Sequence, residues 1–289
     1  MLAFIAVYLA RNAGRILAYD YALDWAYAAL ALGLVVLAYL CNIGIWVGIA
    51  SHYGARASWL VHARIWSTSR LGRYIPGKIA TVYLRLEGYK ISQRTNAGMS
   101  LYIETASSLI AVCLFILAAA LLGVVAIEPL HLVLIAIALG MLLVLTSNRF
   151  LRPLVARIPL LQRLSSPPAT RPDAVLLAKA VALQAVVMML HGASLLFAIR
   201  VFAWIDPWTL PELTVFYYFA GLLGMLALFA PAGIGVREAA LTGMLQVLVP
   251  LPVAVLSVAL VRLLTVCAEL GLSGVFILLT RRSPESSTA

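Results

Sequence analysis

Apolar positions in this chain run in long blocks and do not alternate. The blocks are 25–50, 99–127, 130–147, 174–205, 212–230, 235–249 and 252–280. Most exceed the roughly 20 residues that cross a bilayer as a helix, and the alternation of an outer-membrane barrel strand is missing. The pattern predicts an all-α polytopic membrane protein with roughly six to eight transmembrane or re-entrant helices. An earlier block, Leu2–Ala10, is cut off by Arg11 and Asn12 and is too short to cross. It lacks the charged start and small-residue cleavage site of a signal peptide. Either it is an interfacial piece or the chain begins inside its first helix; the second reading is preferred. Composition agrees: 64% of the 289 residues are apolar, 11% are charged, and mean hydropathy is +1.02. Soluble domains run nearer half apolar and a quarter charged, so soluble enzymes, disordered tails and nucleic-acid modules are excluded.

A net charge of +10 then speaks to orientation rather than to nucleic acid. Fourteen of the 21 Lys and Arg fall in four segments, 51–74, 85–98, 148–173 and the tail at Arg281 and Arg282. The turns at 126–131 and 204–212 carry no Lys or Arg but hold Glu128, Asp206 and Glu212; Asp20 and Asp24 mark another acidic turn. The positive-inside rule places the basic segments and the C-terminus in the cytoplasm, in an inner membrane, with the acidic turns outside. Segments 51–74 and 85–98 then lie on one side, and the stretch between them, containing Pro76, Gly77 and Lys78, is too short to cross and return. It is expected to form a re-entrant or surface hairpin on the inner side, with Pro and Gly at its break. In the second half, 212–230 and 235–249 start and finish outside, broken at Pro231, Gly233 and Gly235. Two oppositely oriented hairpins are what an inverted repeat produces, with halves of about 1–164 and 165–289. Each hairpin precedes a helix bearing a Glu with a Ser four residues on: Glu104 with Ser108, and Glu269 with Ser273. No soluble domain is expected.

The run Ser69-Arg-Leu-Gly-Arg-Tyr-Ile-Pro-Gly-Lys78, with Tyr83-Leu-Arg-Leu-Glu-Gly88 after it, resembles the lysylphosphatidylglycerol synthase transmembrane-region family, the flippase-like domain proteins. Pro231-Ala-Gly-Ile-Gly-Val-Arg-Glu238 looks like that family's second glycine-rich motif. The resemblance covers nearly the whole chain. It implies a membrane domain that handles lipids with phosphate head groups and moves them between leaflets. Some family members carry a cytosolic aminoacyl-transferase domain. None lies within these 289 residues, so lysyl transfer from a charged tRNA is not expected of them.

Ionisable groups inside a bilayer cost at least a few kcal/mol on insertion scales and need a partner or a purpose. The candidates are Lys78, Arg85, Glu104, Arg237, Glu238, Arg262 and Glu269. The functional reading is a polar cavity receiving a lipid head group, with Lys78 and Arg237 as counter-charges to phosphate and Glu104, Glu238 and Glu269 paired with the bases. Arg262 and Glu269 lie seven residues apart on one helix, too far to pair but able to line one cavity. Pro76, Gly77, Pro231, Gly233 and Gly235 are expected to break helices so that free N–H groups cradle phosphate. A β-branched residue at Gly233 or Gly235 is then expected to harm activity more than folding. The rival reading is internal bracing by Glu–Arg pairs, with Lys78, Arg85 and Glu87 at the surface.

Other residues are expected to play common roles. Cys41, Cys113 and Cys267 read as packing thiols, and no metal, nucleotide or catalytic motif appears. Trp25, Trp46, Trp59, Trp66, Trp204 and Trp208 read as an aromatic belt. His52, His62 and His131 are expected in solvated or interfacial places, and His191 with Gln184 in a contact between helices. Gly221, Gly224 and Gly243 are expected to permit close helix packing. Three functions remain open: a translocase for a phospholipid, an aminoacylated phospholipid or a polyprenyl-phosphate-linked lipid; a membrane lipid or glycolipid transferase with Glu as general base; and a lipid-binding accessory of a membrane enzyme.

Overall fold

Each long apolar block closes into a helix because in hydrocarbon every backbone N–H and C=O must be satisfied within its own segment. The computed structural model describes residues 14, 21, 23–75, 79–125, 128–146, 173–227 and 233–282. Its helices are α1 Trp25–His52, α2 Trp59–Leu71, α3 Ile79–Glu87, α4 Arg94–Leu121, α5 Pro129–Thr146, α6 Ala174–Arg200, α7 Leu210–Leu226, α8 Val236–Leu245 and α9 Leu251–Arg282. Short 3₁₀ turns occupy Gly72–Tyr74, Ile91–Gln93 and Pro207–Thr209. No strand occurs among the described residues.

Polar residues start the helices where the sequence changes character. Asp24 accepts from the Ala26 N–H at 3.0 Å ahead of α1, and Asp173 accepts from the Val175 N–H at 2.8 Å ahead of α6. Asp206 does the same for Trp208 at 2.9 Å. Such side chains replace water for the orphan donors of a first turn. Five stretches are long and apolar enough to cross a bilayer: Trp25–His52, Ile91–Leu121, Ala174–Arg200, Pro207–Leu226 and Leu251–Arg281. The chain is an all-α integral membrane protein.

Packing divides it into two units. One draws on the described parts of Met1–Tyr39, Arg73–Lys78 and Val187–Leu270; the other on those of Leu40–Gly72, Ile79–Val186 and Gly271–Ala289. In the first unit, α7 packs against α8. A side chain on Gly192 would put its Cβ 1.9 Å from the Thr214 Oγ1, so this α6 glycine is what lets α7 approach. In the second unit, α2 packs on α3, α3 on α4, and α4 on α5. There Gln184 of α6 donates to Asn42 of α1 at 3.4 Å, the buried interhelical contact expected of it.

The glycine expectations divide. Gly224 is a packing glycine, but nothing lies within 4 Å of a Cβ placed on Gly221 or Gly243. Gly233 has φ +69° and Gly235 φ +89°, so the segment between α7 and α8 is broken as expected where it is described. The close approach at Gly233 is to protein, however: its Cβ would meet the Gly224 backbone at 2.7 Å. Gly233→Val is therefore expected to cost folding first, by about 1–3 kcal/mol of backbone strain besides the overlap. A fall in monodisperse protein on fluorescence-detected size exclusion checks this. Pro76, Gly77, Lys78 and Pro231 lie outside the described residues.

Candidate functional site

The first unit buries a group of charges that its helices cannot hide from one another. Arg237 and Glu238 sit in the first turn of α8, Arg262 and Glu269 on α9, and Arg73 and Tyr74 on the 3₁₀ turn after α2. Glu238 bends back to accept the Gly235 N–H at 2.8 Å through Oε2, capping α8. One of the donors expected to cradle phosphate is thus already taken by the protein's own carboxylate. The other oxygen of Glu238, Oε1, lies 3.3 Å from the Arg262 Nε, as an ion pair without hydrogen-bond geometry. Glu238 and Arg262 side chains are only 7% and 4% exposed. Arg262 Nε and Nη2 and Glu238 Oε1 have no hydrogen-bond partner. A buried donor left in that state costs about 1–3 kcal/mol, more when it is charged.

These open valences border one pocket, lined by Arg237, Glu238, Leu241, Val258, Arg262 and Thr265 among others, with room for about one water molecule. Arg237 is held against the Tyr217 ring, its guanidinium carbon 4.5 Å from the centroid. Tyr217 in turn stacks on His191 at 5.3 Å, and Tyr218 meets the His191 Nδ1 at 3.1 Å. His191, read from sequence as an interhelical contact, is therefore the base of the column that sets Arg237.

Glu269 stands apart from that pocket. It pairs with the Arg73 Nη2 at 2.7 Å and accepts from the Tyr39 and Tyr74 hydroxyls, both at 2.8 Å. Sequence spacing puts Arg262 and Glu269 on one cavity; the pocket beside Arg262 does not include Glu269 in its lining. Tyr74 reaches between their surroundings, donating to Glu269 while its ring lies 6.0 Å from the Arg262 guanidinium carbon.

The second unit holds a different arrangement. Arg85 of α3 donates from Nη1 to the Glu104 Oε2 at 2.6 Å and from Nε to the Ser69 Oγ at 2.8 Å. Trp66 donates to the other Glu104 oxygen at 2.7 Å. Rings of Trp46 and Trp66 flank the Arg85 guanidinium at 4.4 and 5.7 Å. Both Glu104 oxygens are satisfied, one plus meets one minus, and Arg85 is 3% exposed. The surface position expected for Arg85 is thus overturned, because two tryptophans and a carboxylate replace the water it would have sought. Trp46 and Trp66 are correspondingly buried and leave the aromatic belt, whereas Trp25, Trp59, Trp204 and Trp208 are exposed. His62 is buried against the Tyr89 hydroxyl at 2.6 Å rather than solvated; His52, His131 and Glu87 are exposed. Cys41 and Cys113 are half-buried and Cys267 is exposed, so the last is no packing thiol.

Sequence reasoning counted Arg73 only as a cytoplasmic charge and passed over Tyr39, Tyr74 and Tyr217. Arg73 and Tyr74 were within reach, since both sit in the quoted run just before Pro76. Tyr39 lies in an apolar block with no local signal. Among the described residues, no group of three or more His, Cys, Asp or Glu is placed to hold a metal. Fold and site together define an all-α integral membrane protein with an incompletely satisfied arginine pocket buried among its helices. No protein-family model matches the chain, and no curated protein matches its sequence.

Proposed function

We propose that this protein is a lipid translocase that moves a phosphate-bearing lipid between leaflets of the inner membrane, as the flippase-like motifs imply. The lipid is a phospholipid, an aminoacylated phospholipid or a polyprenyl-phosphate-linked lipid. The observation that carries the reading is the Arg262 guanidinium: 4% exposed, and with two nitrogens lacking acceptors beside Arg237. A phosphate oxygen is the partner such a fork fits. The pocket has room for about one water molecule, so on this reading the head group enters only when the helices part, which is the alternation a translocase requires.

An inverted repeat of two halves accompanies this proposal. In one half the second arm of the hairpin, α3, is tied by Arg85 to Glu104 of the long helix that follows. In the other, α8 is tied by Glu238 to Arg262 of the long helix that follows. The order of the tied elements is the same, though the spacings differ, and the charges are exchanged, which supports a common plan in which one half became a closed brace and the other an open site.

The deciding experiment reconstitutes the full chain in proteoliposomes containing fluorescent phosphatidylglycerol, lysylated phosphatidylglycerol or a labelled polyprenyl phosphate. Dithionite quenching then follows transfer between leaflets. Faster exchange than in protein-free vesicles for at least one lipid is expected; none for any would end the translocase reading. The proposed orientation, with the C-terminus cytoplasmic, has its own check. In protein freed of native cysteines, an impermeant maleimide should label Thr209→Cys in intact cells and Arg281→Cys only after permeabilisation. The reverse pattern would invert the topology.

A further inference from the structure

Arg73 is the third guanidinium of the buried charge cluster, and its place is unlike that of Arg237 and Arg262. It sits on a three-residue 3₁₀ turn rather than on a long helix, and its side chain is 21% exposed. Its Nη2 serves Glu269 at 2.7 Å and the Tyr74 hydroxyl at 3.1 Å, while its Nε is buried without an acceptor. Its guanidinium carbon lies 5.1 Å from the Tyr74 ring centroid, the same ring that Arg262 approaches at 6.0 Å. Arg73 also lies within electrostatic reach of both Arg237 and Arg262. Among the described residues of this cluster three guanidiniums face two carboxylates, Glu238 and Glu269, so one positive charge is left uncompensated in a low-dielectric interior for an anion to relieve.

Glu269 is built to lose one partner. It accepts from Tyr39 of α1 and from Tyr74, the neighbour of Arg73 on the same turn, so rotation of the Arg73 side chain alone leaves both hydroxyls with it. Arg262 has no such freedom of approach, being fixed within a 32-residue helix. Arg73 is therefore the member of the trio whose backbone no long helix holds.

We propose that Arg73 is a third ligand for the phosphate group, paired with Glu269 when the pocket is empty and transferred to the phosphate when it is filled. The proposal rests on the reading of the Arg237–Arg262 pocket as a phosphate site. Glu269 is then a competitor for Arg73 and not a ligand of the lipid, so removing its charge strengthens binding instead of weakening it.

The test uses the full chain in a maltoside, free of other phosphate, with native mass spectrometry counting bound dioleoyl phosphatidic acid, dioleoyl phosphatidylglycerol or inorganic phosphate. Arg73→Gln is expected to weaken binding about tenfold, the loss of one charge-assisted contact. Glu269→Gln is expected to tighten it several-fold, and Arg73→Lys to fall between wild type and Arg73→Gln. Unchanged binding in Arg73→Gln, or weaker binding in Glu269→Gln, overturns the role of Arg73 while leaving the pocket reading standing. If Arg73→Gln does not fold, the sign of the Glu269→Gln effect decides alone. Inorganic phosphate bound in an Arg73-dependent way, with neither lipid bound, upholds the third ligand and removes the lipid reading. A wild-type protein that binds none of the three overturns both.

Discussion

Lysine in place of Arg262 is expected to stop lipid translocation while leaving the protein folded. The contact between Arg262 and Glu238 is an ion pair at 3.3 Å without hydrogen-bond geometry, which an ammonium reproduces. The planar fork, with Nε and Nη2 both open, is what the ammonium lacks. Losing one or two charge-assisted hydrogen bonds to phosphate, at about 1.5–3 kcal/mol each, lowers the rate at least roughly tenfold. Arg237→Lys is expected to act in the same direction, because an ammonium stacks poorly on the Tyr217 ring that positions the guanidinium. The measurement is transfer of fluorescent lipid in proteoliposomes, normalised to monodisperse protein. Wild-type rates in both variants would show that these arginines serve the fold alone.

Opposite behaviour is expected of the Arg85–Glu104 pair. Glu104→Leu leaves Arg85 buried at 3% exposure without a counter-charge, and breaking such a pair costs about 3–5 kcal/mol. Arg85→Met strands Glu104 in the same way. Replacing both together removes two buried charges at once and is expected to recover most of that loss, apart from the hydrogen bonds of Trp66 and Ser69. Thermal unfolding in detergent should show two large downward shifts for the single variants and a small one for the double. Transport per folded molecule in the double variant is expected to match wild type. A stable double variant that fails to transport would move Glu104 from brace to site.

These two outcomes separate what local sequence carries from what it does not. The helices at 25–52, 129–146, 174–200 and 251–282 follow the apolar blocks closely, because in a bilayer hydrophobic length alone decides whether a segment spans. Two of these beginnings are equally local, since Asp24 and Asp173 each cap a turn within two residues of themselves, as Asp206 does for the 3₁₀ turn ahead of α7. The break before α8 is legible too, since Gly233 and Gly235 carry the positive φ that other residues resist. The set of improbable charges was also on view, for an Arg or Glu in an apolar block needs no structure to be noticed.

Partnership among those charges was not. Arg85 and Glu104 are 19 residues apart, and Arg73 and Glu269 are separated by most of the chain. Spacing along one helix put Arg262 and Glu269 together, but it gave no sign that Tyr74, from a distant turn, approaches both. Trp46 and Trp66 stood near block ends and read as belt residues, until packing turned them onto a guanidinium. Hydrophobic periodicity reports how strongly a residue avoids water, which is a property of the residue and its neighbours in sequence. Which carboxylate neutralises which arginine, and which arginine is left with open valences, depends on distances that exist only once the helices have packed.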